Sequence, residues 1–427
     1  MSFFRIIMLM SLFSCYLPSS YAEMTIKITE GVESALPISI VPFAMHGASS
    51  APVDLSFVVD ADLERSGYFK TLDQQNMPAR PSTAEAVQFK DWQALGQNYL
   101  VIGQVIEELG QYTVQFQLFD VYKGEQLMGY RMNSSSADLR RTAHHISDLI
   151  FEKLIGKKGV FSGRIAYITS NRDGRQSTHK LQVSDADGFN AQTIASSAEP
   201  LMSPSWSPDG KKVAYVSFEK KVATIFIQTL ATGQRVSVAE FPGINGAPSW
   251  SPDGGKLALT LSKDGNPDIF ILNLVSRDLT KLTKSSSIDT EPTWAPDGNS
   301  IVFTSDRGGK PQLYRVSSQG GEEQRLTFSG TYNARASFSP DGKSIAMVHG
   351  NGSDYRIAVM DLVTKSVNVL TDGQSDESPS FAPNGAMILY ASRKGGAGYL
   401  SAVSLDGKIQ QKLVFNGSEI REPAWSP

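Results

Sequence analysis

The sequence is nearly without cysteine and poor in histidine. Among its 427 residues there is one cysteine, Cys15, and there are five histidines. A single cysteine excludes an internal disulfide and any thiolate metal cluster within one chain. The histidines (His46, His144, His145, His179 and His349) are scattered, which argues against a histidine-rich metal site. Charge is also scarce, with 19% charged residues and 40 basic against 43 acidic side chains. That balance leaves no electrostatic footprint for nucleic acid or an anionic membrane. No Gly-x-Ser-x-Gly elbow, His-Glu-x-x-His, phosphate loop or dinucleotide fingerprint occurs. What is plentiful is turn chemistry, 36 glycines and 21 prolines, which favours a β-rich architecture in a chain long enough for two or three domains.

The single long apolar run lies at the extreme N-terminus. Residues 1–22 begin with one positive charge at Arg5, continue apolar from Ile6 to Leu17, and end Ser20-Tyr21-Ala22. That is the grammar of a secretory signal peptide, too short for a permanent span. Lipoprotein processing at Cys15 is the weaker reading, because a second small-residue site follows. Cleavage after Ala22 leaves a mature chain without cysteine, expected in the periplasm and with no segment to insert in a membrane.

Self-comparison exposes a repeat. Pro204-Ser-Trp206-Ser-Pro-Asp-Gly210 returns at Trp250 and Trp294, more softly at Phe338 and Phe381, and truncated at Trp425. The aromatic positions are 44, 44, 44, 43 and 44 residues apart. Each unit reads as four short strands with Ser-Pro-Asp-Gly as a hairpin turn, the period of a propeller blade. Gly163–Ser170 is a further second strand without a first strand before it, whereas Trp425 is a first strand without continuation. The C-terminus is therefore expected to complete the blade opened at Gly163, making six blades. The tryptophans read as wedge-filling core, and the Asp-Gly pairs as turn chemistry.

The preceding segment reads as a separate α/β unit. Strands are expected at Met24–Thr29 and Pro37–Phe43, a helix at Val53–Arg65, three strands between Tyr99 and Asn133, and a helix from Ser136 to Leu154. His144 and His145 are read as surface residues of that helix. The expected organisation is a signal peptide at 1–22, an α/β domain at 23–155, a linker at 156–162 and a six-bladed β-propeller at 163–427, mainly β overall.

Strand order puts the loops between second and third strands, and the connections between blades, on one face. It is the less regular and more charged face, with basic loops outside connections that carry Glu199, Glu291, Arg335, Glu377 and Glu422. Variable loops on a rigid scaffold are where binding usually resides.

The signal peptide, the Pro37-Ile-Ser-Ile-Val-Pro-Phe43 segment, the Trp-Ser-Pro-Asp-Gly repeats and the terminal Pro-Ala-Trp-Ser-Pro together resemble the TolB family of the Tol-Pal system, over essentially the whole mature chain. Phe338 and Phe381 depart from its usual tryptophan. The resemblance implies a non-enzymatic periplasmic linker whose propeller binds the lipoprotein Pal and whose mature N-terminal segment binds TolA. It also implies a role in outer-membrane integrity and constriction during cell division, and use of the same face by some colicins. Carried over, Asn245, Ala247, Thr290 and Glu291 fall at the Pal site, joined on the same face by Glu199, Arg335 and Glu377. Glu23, Met24, Thr25, Ile26, Lys27 and Ile28 fall in the TolA segment. No cofactor is expected. A propeller enzyme, or a calcium ion held by the channel acids Glu199, Glu291, Glu377 and Glu422, remains the alternative.

Overall fold

The computed structural model describes residues 23–26, 35–47, 51–174, 176–394, 397–414 and 419–427. The expected signal peptide, together with Lys27 and Ile28, lies outside the described residues.

The propeller follows from the repeat. Six antiparallel sheets are arranged as blades, those from blade 2 to blade 6 each built on a meander of four strands in chain order. Blade 2, for example, contains Leu201–Trp206, Lys212–Ser217, Thr224–Thr229 and Arg235–Ala239. Blade 1 closes the ring as expected: Glu419–Trp425 pairs antiparallel with Arg164–Asp173, with Trp425 opposite Ile165. The repeated aromatics are core. Trp206, Trp250, Trp294 and Phe381 are at most 9% exposed. Trp206 Nε1 donates to the Ala424 carbonyl at 3.0 Å and Trp250 Nε1 to the Ser205 carbonyl at 3.2 Å, so these two indoles are also tied to the preceding blade.

The hairpin turns are self-supporting. In blade 3, Ser251 Oγ donates to Asp253 Oδ1 at 2.5 Å and accepts from the Lys256 amide at 2.9 Å. Gly254 then takes φ +70°, a value that would strain any other residue. The same Ser–Asp bond recurs at Ser207 with Asp209 and Ser339 with Asp341. It holds all three carboxyls below their ordinary range, with backbone amides adding to the effect.

The N-terminal domain is one mixed sheet with helices. Leu36–Ile40 runs parallel to both Phe69–Thr71 and Tyr99–Glu108, and the long hairpin Gln111–Asp120, Glu125–Ser135 extends the sheet antiparallel. Both faces of Tyr99–Glu108 are covered, so its side chains alternate between two cores. Val101 and Val105 meet helix α1 (Leu55–Arg65), whereas Leu100 and Ile102 meet Trp92 of helix α2 (Phe89–Ala94). Helix α3 (Leu139–Ile155) buries Leu139, Ala143, Ile146 and Ile150 on the first core and ends at Gly156 in the left-handed conformation. The expected strand over Pro37–Phe43 is shorter than read, because Pro42 has no N–H for the ladder. The chain resumes pairing at Ala44–His46.

One reading of this helix is corrected. His145 is exposed, but His144 is 1% exposed rather than on the surface. Its neighbour Ala143 faces the core; a residue one position on stays inside because the propeller covers that side and Asp62 of α1 accepts its Nδ1–H at 2.7 Å.

The linker is held close. Asp148 of α3 accepts from the Phe161 and Ser162 amides at 2.7 and 3.2 Å, and Gly159 lies so near that a Cβ would sit 2.3 Å from the Asp148 Cα. Beyond it Tyr68, Val160 and Trp425 pack on Ala382, Met387 and Ile409 of blade 6. The N-terminal segment docks on that blade too: strand β1 (Glu23–Ile26) pairs antiparallel with Gln410–Val414 as a fifth, outermost strand.

Two stability predictions follow from the turns. Ser251→Ala leaves the Lys256 amide without its acceptor and is expected to cost ~1–2 kcal/mol in urea unfolding. The three depressed carboxyls stabilise the fold above the unfolded carboxylate range, and that contribution is lost as pH falls through their lower folded values. The melting midpoint should therefore drop below about pH 4. The drop should be shallower when Asp209, Asp253 and Asp341 are all changed to Asn.

Candidate functional site at the channel mouth

The innermost strands of all six blades carry the same irregularity. Three residues before each repeated aromatic the register shifts and a residue takes positive φ: Ser203 (53°), Ala247 (44°), Glu291 (54°), Arg335 (53°), Ser378 (56°) and Glu422 (51°). Such non-glycine values are costly and persist where the surroundings enforce them. The bulge re-aims these side chains. All six line a cavity of about 640 Å³ along the ring axis, with the tryptophans, phenylalanines and turn prolines below them.

Three of the six are ionised groups that meet. Arg335 Nε lies 2.8 Å from Glu291 Oε1 and its Nη2 lies 3.3 Å from Glu422 Oε1, while Nη1 donates to Ser378 Oγ. The second oxygen of Glu291 accepts from Thr304 Oγ1 at 2.9 Å and from the Arg335 amide at 3.1 Å. That of Glu422 accepts from the Ser203 amide. A guanidinium thus spans the channel mouth between two carboxylates on opposite blades. Burial alone would lower its pKa, but the carboxylates of Glu422, Glu291 and Glu377 outweigh this and hold it above its ordinary value.

Of the residues singled out from sequence, the structure brings Ala247, Glu291 and Arg335 together here, with Glu377 in electrostatic reach. Asn245 and Thr290 adjoin them but are engaged inward. The Asn245 side chain is buried, accepting from the Phe241 amide and donating to the Phe241 carbonyl. Thr290 Oγ1 lies 3.3 Å from Thr260 Oγ1. Glu199 stands on the rim, paired with Lys221. Basic loops and acidic connections pair elsewhere on this face, as in Arg307 with Asp289 at 2.9 Å. The strand residues Glu23, Met24, Thr25 and Ile26 are distant from this ring in sequence and lie on blade 6's outer edge.

Sequence reasoning missed the apolar component. Ile244 and Ile288, each 49% exposed, directly precede innermost strands, Met202 is exposed near the start of another, and Phe328 is exposed in the connection that leads to a fourth. It also passed over Ser203 and Ser378, which the interval from the aromatic would have found. The described residues present, around the charged mouth, an apolar arc suited to protein contact rather than a cluster of free acids and bases.

Fold and site together define a class: a six-bladed propeller of Trp-Ser-Pro-Asp-Gly repeats, closed by its own C-terminus, behind an α/β domain. Comparison with known proteins agrees with both halves. Residues 24–127 match the TolB amino-terminal domain and residues 151–427 the TolB beta propeller domain. The chain belongs to the TolB family. It is 62% identical to the Tol-Pal system protein TolB of Nitrosococcus oceani over 96% of this chain and 95% of that one. It is 61% identical to the TolB of Methylococcus capsulatus over 95% of each. The crystal structure of TolB from Acinetobacter baumannii superposes with a TM-score of 0.87 at 43% identity, covering 95% of this chain and 100% of that one.

Removing the bridging cation tests the network. Arg335→Met leaves Glu291 and Glu422 without their cation and is expected to cost ~2 kcal/mol, less than the ~3–5 kcal/mol of a fully buried pair because these side chains stay 12–26% exposed. Adding Glu422→Gln should recover part of the loss in chemical denaturation.

Proposed function

We propose that this protein is a non-enzymatic interaction component of the Tol-Pal system in the periplasm. Its propeller face binds the lipoprotein Pal and its N-terminal segment binds TolA. By joining the two it supports outer-membrane integrity and constriction during cell division, and colicins exploit the same face. The observation that carries this reading is the asymmetry of the ring: one face is built of uniform Ser-Pro-Asp-Gly hairpins, the other of irregular charged connections with an exposed apolar arc. Family membership supports it, as does the absence, among the described residues, of any helix long and apolar enough to cross a membrane. Periplasmic location rests on residues 1–22 acting as a signal peptide.

The channel needs no metal in this reading, because Arg335 already supplies the positive charge between Glu291 and Glu422. Calcium bound by these acids is the second reading, and the carboxylate pair is the observation that favours it. A melting midpoint unchanged by chelator would dispose of it.

Titration of purified Pal against Ile244→Arg and Thr290→Arg variants tests the site. Each change places a long charge in the proposed contact and should weaken binding by about tenfold or more; wild-type affinity in both would overturn the assignment. Deleting residues 23–33 should abolish TolA binding while leaving Pal binding and the melting midpoint intact, because strand β1 adds to a blade that is already complete.

A further inference from the structure

The interface between α3 and blade 1 contains a buried ionic cluster that the channel does not use. Asp62 and Arg65 come from α1, Arg140 and His144 from α3, and Asp185 and Asp187 from the turn that joins the last two strands of blade 1. Arg65 Nη2 lies 2.8 Å from Asp62 Oδ1, and Arg140 pairs with Asp187 and lies 3.9 Å from Asp185 Oδ2. Phe161 and Phe189 cover the two guanidinia. His144 stands in the middle, with Nδ1 on Asp62 at 2.7 Å. Its other nitrogen, Nε2, is buried without a hydrogen-bond partner and faces Asp187 Oδ2 at 3.7 Å.

Two features make the vacancy at Nε2 informative. The first is charge. Arg65 pairs with Asp62, and Arg140 and Arg164 act on Asp185, but the Asp187 oxygen that faces Nε2 would gain a second cationic partner beside Arg140 only from an imidazolium. The second is direction. The two ring nitrogens point at carboxylates from different domains, Nδ1 at α1 and Nε2 at the propeller. Asp62, His144 and Asp187 each bring one ligand atom to within 4.8 Å of the others, but both carboxylates already pair with arginine, which favours a proton over a metal ion at this place. Burial alone would raise the Asp187 carboxyl, but Arg65, His144 and Arg140 outweigh it and keep it ionised, ready to accept. Asp185 is pushed the other way, by burial first and by Asp187 second, with His144, Arg140 and Arg164 opposing.

We propose that His144 is a proton-operated latch between the two domains: taking up a proton at Nε2, it pairs with Asp187 of blade 1 while Nδ1 stays on Asp62. The sign follows from the geometry. The second ion pair forms only with the charged ring, so the domains are held more firmly at acidic than at alkaline pH. Arg140 stays on Asp187 in both states and supplies a contact independent of pH. Arg65 and Asp148 keep their partners on the N-terminal side. The device is separate from the channel mouth and does not depend on what binds there.

Tryptic cleavage of the full chain in the linker, after Lys157 and Lys158, reads the latch. Rates are taken relative to an unfolded peptide of the same sequence digested in parallel, which removes the protease's own pH dependence. The wild type should be cleaved about tenfold more slowly near pH 5.5 than near pH 8, the effect of one charge-assisted contact. His144→Gln keeps a donor for Asp62 but has no second titrating nitrogen and should lose that pH dependence. If it does not fold, Asp187→Asn serves instead. It weakens the interface at every pH through the lost Arg140 pair, but the change with pH should vanish. A wild type whose relative rate is the same at both pH values overturns the proposal, and so does a variant that keeps the full wild-type dependence.

Discussion

The pairing of Glu419–Trp425 with Arg164–Asp173 is the contact on which the other features depend. It joins residues some 250 positions apart into one blade, so the loop-closure entropy of the whole ring is offset at a single seam. The closing strand does more than fill a blade. Its Ala424 carbonyl receives the Trp206 indole of blade 2, and its Trp425 amide donates to Ser380 of blade 6. Its Glu422 supplies one of the two carboxylates that hold Arg335. Trp425 also packs with Val160 and Tyr68 at the domain boundary. Seam, channel charge and domain docking therefore share seven residues at the end of the chain.

Legibility in the sequence follows the range of the interactions. Blade number and the split closure could be read because the turns are local chemistry repeated at a fixed interval: a proline and a glycine in every complete copy, with a serine and an aspartate that satisfy one another in three of them. Departures are instructive for the same reason. Phe338 and Phe381 lack the indole N–H, and at Phe381 the tie to the preceding blade runs through the backbone, its amide donating to Ser337 Oγ at 3.3 Å as that of Trp425 does to Ser380. The N-terminal domain was read less well. Phe69–Thr71, Ala44–His46 and α2 are too short for periodicity to show, and the parallel pairings of Leu36–Ile40 rest on partners about 30 and 60 residues away.

The site divides in the same way. Glu291 and Arg335 stood out as charges in inter-blade connections, and the ring position, three before the aromatic, was available to anyone who aligned the units. The exposed Ile244 and Ile288 were not visible as a site, since an isolated isoleucine in a β-rich sequence reads as core. His144 was misread because its two partners lie 82 residues before it and 43 after it in sequence. One of them belongs to the other domain. Helical spacing predicts which side of a helix is covered by its own core, not what a second domain brings against the flank.

Strand β1 differs from everything else in the ring. It adds four residue pairs to the outer edge of blade 6, and no seam, channel residue or turn depends on it. A backbone hydrogen bond contributes about 1 kcal/mol net, and ordering a residue costs about 1–2 kcal/mol, so backbone pairing over four residues roughly cancels. Removing such a strand leaves a complete four-stranded blade behind it, whereas removing the C-terminal strand opens the ring. Strand β1 and the C-terminal strand thus enter the same propeller on opposite terms, one as an addition to a free edge and the other as its closure. An extended segment paired at a sheet edge can be passed to the sheet edge of another protein by exchanging one set of backbone hydrogen bonds for an equivalent set. That is the physical basis for proposing this segment, rather than any blade, as the site of a second partner.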